Sequence, residues 1–500
     1  IIISNIYKSM DYFLGIDLGS SSVKVSILDG KKGKSIISCN YPEKEMDIFS
    51  LQSGWAEQDP DYWWECVVSC FKKLNKKIDF SLIASVGISY QMHGLVLIDK
   101  NGKSLRKSII WCDSRAVDIG KKANESIKSE VISKNLLNSP GNFTASKLKW
   151  VMENEPDLYK SIFKIMLPGD YIAYKLTNKI NTTQSGLSEA ILWDFKNKNV
   201  SSDLVSYFGF KKDLLPSVLS SFNNHGSISK NISKSFGFKK NTQITYKAGD
   251  QPNNAFSLNV LHPGEIAATA GTSAVIYAVT DKNIYDKNER INTFLHCNNS
   301  INNNRNGLLL CINGSGIAYS WLKKILNSGD YNDLNLSAIN SPIGSKNLKF
   351  YPFGNGAERI LNNKEIGANL MNLNFNMHDQ MDLIRSVQEG VAFSMNYGIE
   401  SLKNLGVEFK KIKVGNSNLF LSMLFREAFV NTSGIELEIY DTNGSEGAAR
   451  AAALGIGYYA NEKDAFKNLK LISKLKPKKS LREKYLNYYS DWKKHLSNFL

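Results

Sequence analysis

Five hundred residues, 42% of them hydrophobic, suffice for more than one sizeable core, and length alone suggests at least two domains. No apolar run approaches the roughly 20 residues of a membrane span, and the opening "IIISNIYKSMDYFLGI" has no basic leader followed by a signal-like core and cleavage site, so a cytoplasmic protein without membrane attachment is expected. The net charge of +15 comes from scattered lysines with no basic-and-aromatic platform, which argues against nucleic acid as a partner and leaves a positive field suited to an anionic small molecule such as a nucleotide.

Residues 1–9 read as a disordered N-terminal extension, with Met10 as the expected native start. From Tyr12, "GIDLGSSSVKV" at 15–25 gives a strand, a tight turn rich in glycine and serine, and a second strand, because Val23, Val25 and Ile27 alternate with Lys24 and Ser26. It is neither Gly-x-Gly-x-x-Gly nor a Walker A loop. A third strand is expected near "KSIISCNYP", then the amphipathic helix "DPDYWWECVVSCFKKL", whose stripe of Trp64, Val67, Val68 and Phe71 places Cys66 and Cys70 in a core. The six cysteines show no paired CxxC spacing and are expected to be reduced. A strand at "IASVGISY" and a hairpin turning on Asn101-Gly102 follow, and residues 116–245 read as largely helical. "ITYKAGDQPNNAFSL" gives a strand, a Gly-Asp turn and a helix. At 264–280, "GEIAATAGTSAVIYAVTDK" repeats the opening theme of strand, hydroxyl turn and strand. Helices are expected at 315–328 and 381–405, a strand, turn and helix over "FKKIKVGNSNLFLSMLFREAFV", and a small-residue helix in "GSEGAARAAALGIGYYA". The basic stretch "KLISKLKPKKSLREKY" at 470–485 reads as helical and of mixed sign. The break between halves is expected near 255–263.

Several residues admit both a chemical and a purely structural role. Asp250, ahead of Gln251 and a proline, fits a general base and fits a helix N-cap equally well. Asp17 is either a turn-forming carboxylate or a partner for a hydrated cation. Met92 and His93 end the strand "VGISY", where α/β sheets present ligands with side chains, yet a lone histidine is commonly a satisfied core residue. Trp111, Asp113 and Arg115 shape either a pocket or the layer beneath it.

Seven stretches in order, "GIDLGSSSVKV", "WAEQDPDYWW", "GISYQMHG", "IIWCDSRA", "LPGDYIAYKLT", "AGDQPNNAF" and "TAGTSAVI", together resemble the FGGY family of carbohydrate kinases within the actin-like ATPase superfamily. The resemblance implies an α/β fold of two actin-like (ribonuclease H-like) domains around a deep interdomain cleft, divided here as 10–258 and 259–500. It implies ATP and Mg²⁺ as cofactors and transfer of the γ-phosphoryl group to a ketose, D-xylulose first, with sedoheptulose or ribulose as alternatives. A non-catalytic actin-like nucleotide binder is the rival of another class. Asp250 is then the catalytic base and Asp17 the second catalytic residue, facing the metal. Gln91, Met92, His93, Gln251, Trp111 and Arg115 fall on the sugar side. Gly19, Ser20 and Ser21 of the first turn and Gly271, Thr272 and Ser273 of the second meet phosphates, and Gly314, Gly415, Asn416 and Asn418 approach the nucleotide. "KVGNSNLF" keeps only Gly415 of the family's glycine run there. A homodimer is compatible with this reading.

Overall fold

The computed structural model describes residues 11–500; the expected extension over 1–9 and the start at Met10 lie outside the described residues. Two mixed sheets organise the chain. The first has strand order β5-β4-β1-β2-β3, built from β1 (Tyr12–Leu18), β2 (Val23–Asp29), β3 (Lys34–Tyr41), β4 (Ile83–Tyr90) and β5 (Gln243–Gly249). β1 is antiparallel to β2 and parallel to β4, with β5 parallel beyond it. The second runs β8-β9-β7-β6-β10-β11-β12, from β6 (Glu265–Ala270), β7 (Ala274–Thr280), β8 (Asn292–Leu295), β9 (Asn306–Ile312), β10 (Lys411–Gly415), β11 (Glu436–Tyr440) and β12 (Leu471–Leu475). Here β6 is antiparallel to β7 and parallel to β10, with β11 parallel beyond. The arrangement around β1 thus recurs around β6, and each sheet carries one hydroxyl turn. These are the two actin-like domains of an α/β fold.

Eight helices matter for the site: α1 (Pro60–Asn75), α2 (Thr144–Asn154), α3 (Asp250–Ser257), α4 (Gly316–Ile325), α5 (Gln380–Asn404), α6 (Met423–Ser433), α7 (Gly444–Gly455) and α8 (Lys479–Leu496). Asp59 caps α1 by accepting from the Asp61 N–H, Pro60 fits the first turn, and Trp63, Cys66, Val67, Cys70 and Phe71 are buried against the first sheet. Val67 and Phe71 of the expected stripe pack with both cysteines inside, but Trp64 and Val68 are only partly buried and Trp63 takes the core position instead. α5 is long and buried along most of its length beneath the second sheet, with α6 and α8.

The two helices that follow the last parallel strand of each half change sides. α3 leaves β5 but packs Ala255 against Ala267, Tyr277 and Val279 of the second sheet. α7 leaves β11 but lies on the first sheet, where its backbone is so close that a Cβ on Gly15 would overlap Ser445 O and one on Gly87 would overlap Ala448 O. Only glycine in the strands and alanine in the helix permit this spacing. α3 and α7 touch directly, Gly447 against Ser257, so the halves interlock through these two helices.

Two expectations change. Residues 116–245 hold helices but also short ladders, Asn181–Thr183 with Ser217–Leu219 and Trp193–Asp194 with Asn199–Val200, because strands of two or three residues are too short to show a period. The start of 470–485 is not helix but the edge strand β12, antiparallel to β11, where Lys474 pairs with Glu436 at 2.7 Å; the helix begins only after Pro477.

Candidate active site

The site assembles at the C-terminal ends of β1, β4 and β5 and at the start of α7. β1 delivers Asp17 one residue before its end, and Asp17 Oδ1 accepts from Ser89 Oγ of the neighbouring β4 at 2.7 Å. The other carboxylate oxygen, Oδ2, faces Gly444, the first residue of α7; a Cβ on that glycine would overlap it. Asn443 caps the helix by accepting from the Glu446 N–H, so the capped N-terminus of α7 stands beside the carboxylate. Burial raises the Asp17 pKa, opposed by Ser89 and Lys24.

Asp250 opens α3 directly from β5, with no intervening loop. Burial pushes its carboxyl up to about 7, Asp17 adds to the rise, and hydrogen bonding to Gln251 opposes it. Two carboxyl groups therefore share one corner, and one of them is poised to exchange a proton near neutral pH. Asn253 on the same helix donates from Nδ2 to Gly444 O at 2.9 Å, tying α3 to the start of α7.

From the end of β4 the chain passes through Gln91, Met92 and His93. The Gln91 N–H donates to Leu18 O at 2.7 Å, and its Nε2 donates to Gln58 Oε1 at 3.0 Å. Gln58 in turn donates to Ser20 O at 2.7 Å and accepts from Trp63 Nε1, so Gln91 is buried bracing beneath the first turn. Met92 fills the space beside Gly249; a Cβ there would stand 2.6 Å from Met92 Cγ and 2.6 Å from Glu189 Oε2. His93 adopts φ 62°, a left-handed conformation unusual for a non-glycine residue. Its Nδ1 lies 2.9 Å from Glu189 O, and a carbonyl only accepts, so Nδ1 carries the proton and Nε2 is left as an acceptor. Burial, with Lys147 nearby, drives the imidazole pKa down to about 3, which keeps the ring neutral. Phe143 at 4.8 Å and Phe294 at 5.4 Å fix the ring plane.

Lys147 and Glu189 hold this loop and carry no sequence pattern that marks them. Lys147, inside α2, donates from Nζ to His93 O at 3.0 Å and to Ile110 O at 2.8 Å; burial lowers it to about 7 against the pull of Asp113. The Glu189 carboxyl is buried, and burial together with Asp250 raises its pKa well above the usual carboxylate range. Gly444 does have a sequence signal, since it opens the small-residue helix that follows β11 after three intervening residues. Trp111 is 48% exposed. The Arg115 side chain is 1% exposed, paired with Asp113 and Glu57 at 2.7 Å each and lying 3.8 Å from Trp55, which places it in the layer beneath the surface.

The second turn joins β6 to β7 in the other sheet. Gly271 O packs against Gly316 at the start of α4, and Thr272 O accepts the Ile317 N–H at 3.0 Å, leaving Thr272 exposed at the tip. In the first turn Gly19 N–H closes on Ser22 O at 3.0 Å, with Ser20 and Ser21 at the tip. After β10, Asn418 sits in the left-handed region with Nδ2 beside Gly271, and Asn416 Oδ1 accepts from Arg426 Nη2 at 3.1 Å. Gly415 is open around its Cα, with nothing nearer than 3.7 Å to an added Cβ. Gly314 is turned inward: its N–H donates to Glu358 Oε1 at 2.9 Å and its Cα faces Pro352 O.

Among the described residues no group of three or more His, Cys, Asp or Glu is disposed to hold a metal ion. A lone Asp17 with one oxygen free of side-chain donors nevertheless fits Mg²⁺, which keeps most of its water and takes only one or two protein carboxylates. Among the described residues no helix is long and apolar enough to cross a membrane.

Residues 12–257 match the N-terminal domain of the FGGY family of carbohydrate kinases. Over full lengths, the chain is 28% identical to the xylulose kinase of Haemophilus influenzae, across 97% of this chain and 99% of that protein. It is 26% identical to the xylulose kinase of Staphylococcus xylosus, across 89% and 91%. Its fold matches a ligand-bound xylulose kinase from Lactobacillus acidophilus with TM-score 0.88 at 22% identity, covering 97% and 98% of the two chains. It matches a Plasmodium falciparum glycerol kinase with ADP equally closely, TM-score 0.87 at 20% identity over 98% of each. The fold is therefore common to kinases of different substrates, and the fold alone does not choose among them.

Proposed function

The chain belongs to the FGGY family of carbohydrate kinases, and on that premise we propose that it phosphorylates D-xylulose with ATP, giving D-xylulose 5-phosphate and ADP. The observation that carries the reading is Asp250 at the start of α3, pushed to about 7 by burial in the corner it shares with Asp17. A carboxylate with that affinity takes the proton from the attacking sugar hydroxyl as its oxygen bonds to the γ-phosphorus, a contribution of roughly 10² to 10⁴ in rate. The proton ends on an Asp250 carboxylate oxygen, and the γ-phosphoryl leaves the β-phosphate oxygen of ADP.

Asp17 would hold a hydrated Mg²⁺ through its free carboxylate oxygen, and the ion would supply charge neutralisation for the transferring phosphoryl group. Backbone N–H groups and hydroxyls of Gly19, Ser20 and Ser21 and of Gly271, Thr272 and Ser273 grip the phosphates, while Gly415, Asn416 and Asn418 lie along the nucleoside. On the sugar side His93 Nε2 accepts from a ketose hydroxyl, Met92 forms an apolar wall, and Gln251 lies beside the base. Gln91 acts from beneath by holding the turn. Two units dividing near 258/259 close on the substrates and exclude water. The enzyme works in the cytoplasm.

Purified protein with ATP and Mg²⁺ is tested by ADP release and by phosphorus NMR of the product, with D-xylulose, D-ribulose, sedoheptulose, glycerol and gluconate in turn. D-xylulose is expected to give the highest kcat/KM. A higher value with glycerol or gluconate overturns the ketose assignment.

A further inference from the structure

We propose that Arg359, carried to the pocket from the second half of the chain, is a sugar-binding residue that faces His93 across the wall formed by Phe143. The proposal rests on the ketose-kinase reading and adds to it a donor that neither turn nor strand end provides.

Arg359 begins a short 3-10 turn, Arg359–Leu361, packed beside β9. Its guanidinium carbon stands 5.6 Å from the centre of the Phe143 ring, and Phe143 packs edge-on against His93 at 4.8 Å. Arg359 Nη1 donates to Asn292 Oδ1, which among the described residues is the one hydrogen bond of this side chain. Asn292 Nδ2 donates to Asn138 Oδ1 at 3.1 Å, and Asn138 is fixed by both backbone groups of Thr293, at 3.0 Å and 2.7 Å. The guanidinium is thus aimed from the second half at a wall belonging to the first. Glu289 acts on it electrostatically but makes no ion pair with it, its carboxyl being held instead by Asn124 Nδ2 at 2.9 Å.

A guanidinium carries five N–H donors in a fixed fork, and one acceptor on Asn292 satisfies only one of them. A half-buried arginine with no carboxylate partner has donors to spare for a ligand rich in oxygen. His93 offers the opposite function, a lone pair on Nε2. An open-chain ketose has hydroxyls that donate and accept and a carbonyl that only accepts, so a wall with one acceptor and one multiple donor matches it. Position is secured by the preceding residue: Glu358 is buried and accepts the Asn313 and Gly314 N–H groups at 3.0 Å and 2.9 Å. One dipeptide therefore anchors the loop leaving β9 and aims a donor at the sugar.

Initial rates are measured over a ketose titration for wild type, Arg359→Gln, Arg359→Lys and Asn292→Ala, with ADP affinity by calorimetry and melting temperature for each. Arg359→Gln is expected to raise KM for D-xylulose roughly 10- to 100-fold, the scale of a lost charge-assisted hydrogen bond, with ADP affinity within about twofold of wild type. Arg359→Lys should recover part of the loss, and Asn292→Ala, which frees the guanidinium from its anchor, should raise KM by a smaller factor. Unchanged KM in Arg359→Gln overturns the proposal, as does a loss of ADP affinity in proportion to the loss of sugar use. If Arg359→Gln does not fold, unchanged KM in both Arg359→Lys and Asn292→Ala overturns it. A wild-type protein that uses no ketose defeats the kinase reading instead, before any variant is compared.

Discussion

The two halves place the same strand ends around the cleft and fill them with opposite chemistry. In the first, β1 carries Asp17 one residue before its end, β4 runs into Met92 and His93, and β5 runs into Asp250. In the second, Thr269 stands where Asp17 does relative to its turn, β10 runs into Gly415, Asn416 and Asn418, and β11 runs through Asn443 into Gly444. The turns differ too: Leu18 pairs with Val23 across residues 19–22, whereas Ala270 pairs with Ala274 across 271–273. Asp17 and Asp250 thus stand at strand ends of the first half, while in the second the carboxylate that follows β11, Asp441, is exposed. On the proposed reading, carboxylates would repel a polyphosphate wherever no cation intervenes, which suits the glycine, asparagine and hydroxyl strand ends of the second half to the nucleotide and leaves the base to the first. The duplicated frame determines where a residue can act; the residue at each strand end determines what it does.

The most severe break in this comparison is Asp250→Ala. Sugar-dependent turnover should fall by roughly 10² to 10⁴ while ATP affinity, owed to the other half, stays close to wild type. Loss of ATP affinity in parallel, by calorimetry, would show that the halves do not divide the work this way. The intact enzyme tests the same residue by pH. Asp250 acts as base only when deprotonated, and burial sets its pKa at about 7, so kcat/KM should hold above neutrality and decline below it, by roughly tenfold per pH unit once well into the acid limb. A profile flat from pH 5 to 8 would remove this carboxyl from proton transfer.

His93→Ala comes next, at roughly 5- to 150-fold in kcat/KM for the sugar, with slow sugar-independent ATP hydrolysis spared. A melting temperature lowered together with both rates would make the residue a core histidine. A pair of glycines, both carried by the second half but only one of them reaching Asp17 of the first, gives the smallest and most direct contrast. Gly444→Ala pushes a methyl group into Asp17 Oδ2 at a cost of about 1 to 3 kcal/mol, and should reduce turnover and raise the Mg²⁺ requirement. Gly415→Ala meets nothing nearer than 3.7 Å and should change turnover less than about twofold. Equal effects of the two would mean that the strand ends are not chemically distinct.

Much of the first half's site was legible because its residues sit where local pattern changes. Asp17 stands one residue before a strand end and its turn, Asp250 joins a strand to a helix, and His93 follows a strand, all readable from alternation and its interruption. Lys147 and Glu189 lie within helices whose pattern shows only which face is buried, and nothing local tells that the Lys147 ammonium holds a carbonyl 54 residues away in the chain. Gly314 looked like an open glycine of a nucleotide loop; its N–H is taken by Glu358, 44 residues on. Arg115 read equally as pocket or support, and two tryptophans and two carboxylates put it beneath the surface.

By itself the sequence determined strands β1 to β7 and β10, the two hydroxyl turns and the recurrence of the hydroxyl hairpin in the second half, because alternation, glycine and serine act through neighbours in the chain; β8, β9, β11 and β12 were not legible in it. Which sheet each crossing helix covers was decided only in three dimensions. The alanine-rich stretch 444–455 is legible as a helix able to pack closely, but its pattern fits either sheet equally well. It lies on the first because Gly15 and Gly87 leave the room there, from strands more than 350 residues earlier in the chain. That choice sets the N-terminus of the helix beside Asp17 and ties it to Asn253, three residues after Asp250, so the corner of the proposed site comes from close packing between distant segments.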